Sequence, residues 1–198
     1  MTKLGIQAFT AAKVGVGGVT SGMRYLLPSL LVLFLSCKGT DNGDRLFDIT
    51  YDPLNFVLPA GQAAPQVFVV ANDRMLTGFA DALADAGVDA GEVDQVGGTR
   101  ARVVSVSGED YRELRRVELR VCPASERFCT VADIMFSIDD LTGRRQQVVN
   151  LNPGLRNFRD LYLADAEVRM ELVFFPARIT SQNIDSRLEW SVGAVGGL

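Results

Sequence analysis

The chain of 198 residues carries 20 basic and 24 acidic side chains, a formal charge of −4, and no histidine. The missing imidazole excludes Ser-His-Asp and Cys-His nucleophile systems and histidine-ligated zinc. An acidic chain without a basic run interleaved with aromatics is unsuited to phosphate backbones, so nucleic acid is excluded as a partner.

Lysine is almost as informative. Beyond Lys38 every basic residue is arginine, which removes Schiff-base and Walker-type lysine chemistry from the rest of the chain. Catalysis would have to rest on carboxylates, hydroxyls and arginines, and no cofactor motif is present.

The first element in chain order is Tyr25 to Ser36, an uncharged apolar run directly behind Met23 and Arg24. Its twelve residues fall short of the about 20 that a membrane-spanning helix needs. A basic start followed by a short apolar core predicts a signal peptide over residues 1–36. Residues 1–22 are accounted for by a translation start at Met23, or by a long leader segment carrying Lys3 and Lys13.

The run closes in Phe34-Leu35-Ser36-Cys37, which resembles the lipobox of bacterial lipoproteins, a small residue preceding cysteine. Phe34 stands where that family usually has a branched aliphatic residue. The resemblance implies cleavage before Cys37 and attachment of diacylglycerol to its sulfur, so a palmitate-type acyl anchor would hold the chain to a bilayer in the cell envelope. Lys38 follows Cys37 in place of the aspartate that retains many such proteins at the inner membrane, which favours the outer membrane. Residues 37–45 then read as the lipidated cysteine and a polar tether, Lys-Gly-Thr-Asp-Asn-Gly-Asp, with nothing to bury. Cleavage would remove Lys3, Lys13 and Arg24 and no acid, leaving 17 basic against 24 acidic residues and a charge of −7.

Residues 46–198 suffice for one domain. Phe47, Ile49 and Tyr51 alternate with Asp48 and Thr50, and Leu54, Phe56 and Leu58 resume the alternation after Pro53, which predicts two half-buried strands. Gln66 to Val70 reads as a more fully buried strand. Met75, Leu76, Phe79 and Leu83 lie at helical spacing between a cap at Asn72 or Asp73 and a stop at Gly87, predicting a helix. The acids Asp81, Asp85, Asp89, Glu92 and Asp94 do not follow the alternating ligand spacing of a calcium loop and read as a solvated face.

Gly97-Gly98 marks a turn or bulge before a strand at Thr99 to Ser105, and Tyr111 to Leu114 a helical turn. Val117, Leu119 and Val121 form one strand and Ile134, Phe136 and Ile138 another. Between them Cys122 and Cys129 form the remaining cysteine pair, and a disulfide there would staple a hairpin connection beside Pro123. Asp139 to Gly143 is a turn, Gln146 to Leu151 a short strand, and Asn152-Pro153 the cap and first residue of a short helix ending near Phe158. Val168 to Phe174 and Ile184 to Val192 alternate apolar with charged residues, as strands with one face in water do.

Eight or so short strands predict a mainly β fold, an antiparallel β-sandwich with one or two short inserted helices, an open barrel being the alternative. A helix-containing insert, a stapled hairpin and two long terminal strands together resemble uncharacterised envelope lipoproteins with sandwich domains of the LEA/WHy type, a resemblance of pattern that transfers no residue roles. The side chains favour a non-catalytic module binding an envelope protein or glycan. Its interaction surface would be the Asp139 to Arg145 turn, with Asp139 and Asp140, and the corner bearing Phe175. The alternatives are a carboxylate-based glycan hydrolase, for which Asp139, Asp140 and Asp165 are the nameable acids, and a subunit of a larger secretion or adhesion complex.

Overall fold

A computed structural model describes residues 43–197. The signal peptide, Cys37 and most of the tether lie outside the described residues. The chain runs β1 (Asp44–Thr50), β2 (Leu54–Leu58), β3 (Phe68–Leu76), α1 (Phe79–Ala86), β4 (Gln95–Ser105), β5 (Leu114–Pro123), β6 (Ile134–Ile138), β7 (Val148–Pro153), α2 (Arg159–Ala164), β8 (Glu167–Pro176) and β9 (Ile184–Gly196). The fold is mainly β, as its alternating sequence predicts. Among the described residues no helix is long and apolar enough to cross a membrane.

All pairings are antiparallel, in the order β1-β9-β4-β7-β6-β5-β8-β3. β2 continues along β9 beyond β1, so the two form one edge interrupted at Tyr51-Asp52-Pro53. The sheet curls until its halves face each other. Phe56 of β2 meets Phe174 of β8 at 5.5 Å between ring centroids, and Phe136 of β6 lies against Gly98 of β4. The halves are joined through β6 and β7, where Phe136 pairs with Pro153 and Ser137 with Asn152. Their inward faces supply one buried core that includes Val103, Val117, Leu119, Leu172, Leu188 and Trp190.

Because neighbours are antiparallel, the sheet has two distinct ends. β1, β4, β6 and β8 begin where β3, β5, β7 and β9 finish, and both helices lie at that end. Turns at the opposite end join β4 to β5, β6 to β7 and β8 to β9.

Four expectations are corrected. β1 begins at Asp44, so Asp44 and Arg45 belong to the sheet and not to the tether. The buried strand expected at Gln66 to Val70 is an edge strand, β3, with Val69 exposed. Asn72 and Asp73 cap nothing: β3 runs through them, and α1 starts at Phe79 behind Gly78, whose φ of 63° suits glycine. Asn152 and Pro153 end β7 instead of starting a helix, and α2 begins only after Phe158.

Candidate functional site

The end carrying both helices holds a cleft built on Tyr51. As β1 leaves β9, the Tyr51 N–H donates to the Trp190 carbonyl at 3.2 Å, and its ring stacks on Trp190 with centroids 4.1 Å apart. Its hydroxyl donates to the Thr77 carbonyl at 3.1 Å and is hydrogen-bonded to the Tyr162 hydroxyl at 3.2 Å. Thr77 is pinned in turn, its N–H donating to the Ala166 carbonyl at 2.9 Å. Tyr162 of α2 packs edge-on against Phe79 of α1 at 5.8 Å, and Phe79 tilts on Phe47 of β1 at 5.4 Å.

The resulting cleft of about 650 Å³ has an aromatic floor of Tyr51, Phe79 and Tyr162, with Asp52, Asp81 and Asp165 among its lining residues. A smaller hollow of about 410 Å³ adjoins it between β2 and β3, sharing Tyr51 and Asp52 and adding Arg74. Burial pushes the Tyr51 phenol up to about 12, against a smaller opposing effect of the Tyr162 hydrogen bond. Burial, reinforced by Tyr51, raises Tyr162 well above the ordinary phenol range. Near neutral pH both rings therefore keep their protons and do not act as bases.

The residues singled out from sequence are distributed differently. Cys122 and Cys129 are joined as a disulfide with Cα atoms 5.5 Å apart, closing the β5–β6 connection. Arg116 brings Phe175 and Asp139 together: its guanidinium carbon lies 5.6 Å from the Phe175 ring centroid and its Nε 3.3 Å from the Asp139 carboxylate. Phe175 is thereby half-buried. Asp140 pairs instead with Arg144 at 2.8 Å. Both acids lie at the end opposite the cleft, so of the three acids named for a hydrolase only Asp165 lines it.

Asp52 and Asp81 join Asp165 through the topology. Sequence reasoning passed over Tyr162 and Thr77, which carry no periodic signal. The available clue was that a phenol or hydroxyl among apolar residues needs a partner. In the acidic run, Asp89 and Glu92 form a capping box on the 3-10 turn Ala90–Glu92. Glu126 and Asp133 approach Cys122, but that sulfur is in the disulfide and Asp133 is held by Arg156 and Thr130. Compared with protein families and with curated proteins, the chain finds no match.

Proposed function

We propose that this chain is an exported envelope lipoprotein, anchored through acylated Cys37, that works as a non-catalytic binding or assembly module. The observation that carries the reading is the use of its three cysteines. Cys122 and Cys129 close a disulfide, a bond that persists in oxidising compartments, and the remaining Cys37 stands in the lipobox-like Leu35-Ser36-Cys37. Every cysteine then has a role, and export and anchoring agree.

The cleft supports the binding half of the proposal. A floor of protonated phenols with nearby carboxylates suits a neutral, hydroxyl-bearing or cationic group, such as a glycan or a basic segment of an envelope protein. The second reading is a carboxylate-based hydrolase, and what favours it is that Asp52, Asp81 and Asp165 line one concavity.

Mass spectrometry of the mature amino terminus tests the anchor: an acylated Cys37 is expected in the wild type and none in Cys37→Ser, and an unmodified wild-type terminus refutes lipidation. Glycan hydrolysis that is abolished by Asp165→Asn would replace the binding reading with the enzymatic one.

A further inference from the structure

β1 begins at Asp44, so the chain leading back to Cys37 leaves the domain at the end that carries the helices. Cys37 precedes Asp44 by seven positions, a reach of about 25 Å when fully extended. If Cys37 is acylated, this end is the one held near the bilayer.

The same end displays bulky apolar side chains to solvent. Leu155 is 100% exposed, Val131 73% and Phe128 63%. They occupy the connections β5–β6 and β7–α2, which meet at one corner. That corner is built firmly. The Gly154 N–H donates to the Met135 carbonyl at 2.8 Å, and a Cβ on Gly154 would lie 3.0 Å from the Ile134 carbonyl oxygen. Arg156 donates to the Ala132 carbonyl at 2.6 Å and pairs with Asp133, tying the Leu155 loop to the 3-10 turn Val131–Asp133. The Cys122–Cys129 disulfide closes the segment that carries Phe128. These ties fix the backbone of the loops that carry the three exposed side chains.

Guanidinium groups accompany them. Arg127 and Arg169 lie 5.2 and 6.0 Å from the centroid of the Phe128 ring, and Arg127 takes part in no ion pair among the described residues. Apolar side chains that enter the acyl boundary, an aromatic ring at headgroup depth and a cation for phosphate are the components of an interfacial membrane contact. The acids of α1 and the turn after it occupy another part of this end. At the corner itself exposed Glu126 stands beside Arg127, so one acid and one cation offset each other there.

We propose that the corner formed by Phe128, Val131 and Leu155 is a second membrane contact, seating the domain on the phospholipid surface to which Cys37 anchors it. This rests on the anchored reading above and adds an orientation to it: the helix-bearing end faces the bilayer, and the turns holding Asp139 and Asp140 face away. The acyl chains on Cys37 would hold the chain to the bilayer but leave the domain free to turn on its tether, and a protein contact would fix its pose.

The test uses the full chain reconstituted into phosphatidylcholine–phosphatidylglycerol vesicles, with and without acyl-brominated phospholipid. L155W places an indole at the corner, I179W places one at an exposed position of the opposite end, and the wild type supplies the background of buried Trp190. Bromolipid is expected to quench the L155W indole several-fold more than the I179W indole. Equal quenching in vesicle-retained protein overturns the seat, and so does a lipid-free L155W emission shift that follows protein concentration, which would assign the corner to a second copy. Mass analysis of the same preparation reads the anchor separately. Should Cys37 be bare, the anchored reading fails, and coupling its thiol to a maleimide phospholipid lets the same quenching comparison decide the seat.

Discussion

The ring of Phe136 on β6 occupies the space where Gly98 on β4 would carry a side chain, since a Cβ added there would collide with three of its carbons. This contact lets the two halves of the curled sheet approach beside the β6–β7 junction. Gly98→Ala must displace a fully buried ring and is expected to cost about 1–3 kcal/mol. Gly97→Ala next to it would meet only the end of Gln95 at 4.0 Å and should stay within about 0.5 kcal/mol of wild type. Urea denaturation midpoints at unchanged slope measure both.

On the outward face of β5, buried Glu118 receives Arg116 and Arg120 together, and Arg169 does the same service for Glu171 on β8. The guanidinium stems and the aromatic rings over them cover acids that would otherwise face water. Glu118→Gln leaves two cations without their shared carboxylate, but both reach solvent, so the loss should be about 2–3 kcal/mol. Adding Arg120→Ala to that variant should cost less than Arg120→Ala costs the wild type. A thermodynamic cycle over the four proteins reads the coupling, and simple additivity would show that the cluster contributes only packing.

Where the sequence was legible, a single period governed it. Val168, Met170, Leu172 and Phe174 recur at every second position, as do Leu188, Trp190 and Val192, and these runs lie in β8 and β9. β3 was misread because its register shifts between Asn72 and Met75. The bulge breaks the period of two and leaves Met75, Leu76, Phe79 and Leu83 at helical spacing by coincidence, although Met75 pairs with Val168 in the sheet. Asn152-Pro153 carries the chemistry of a helix start, yet Pro153 is the last residue of its strand, where a missing N–H is tolerated. The cleft was illegible for another reason: Tyr51, Thr77 and Tyr162 come from three distant segments, and only closure of the sheet brings their hydroxyls and carbonyls together.

The disulfide closes a short loop, whose loss of chain entropy in the unfolded state corresponds to about 2–3 kcal/mol. The Cys122→Ser/Cys129→Ser chain should lose that much stability while β5 and β6 stay paired, because Val117, Glu118 and Leu119 are matched with Ile138, Ser137 and Phe136 independently of it. Its clearest effect should be local. Amide exchange across 124–130 should quicken while the amides of Val117 and Leu119 remain protected, and loss of protection throughout β5 would show that the bond holds the hairpin itself.

The buried phenols make stability fall in alkali. Burial pushes both Tyr51 and Tyr111 from an ordinary value of 10.0 up to about 12, partly countered by hydrogen bonds with Tyr162 and Ser186 respectively. Between those values the folded chain keeps protons that the unfolded chain releases. The native state then binds more protons than the unfolded one, and linkage makes the unfolding free energy decrease as pH rises. Stability should therefore be insensitive to these groups below about pH 10 and decline from there towards pH 12. Tyr51→Phe removes one titrating group, so its decline should be shallower, although at neutral pH it loses about 1 kcal/mol with the bond to the Thr77 carbonyl. Phenolate absorbance of the folded protein should rise late for the same reason. A wild-type slope unchanged by both Tyr51→Phe and Tyr111→Phe would mean that water reaches these hydroxyls, and the cleft floor would then be open down to Trp190.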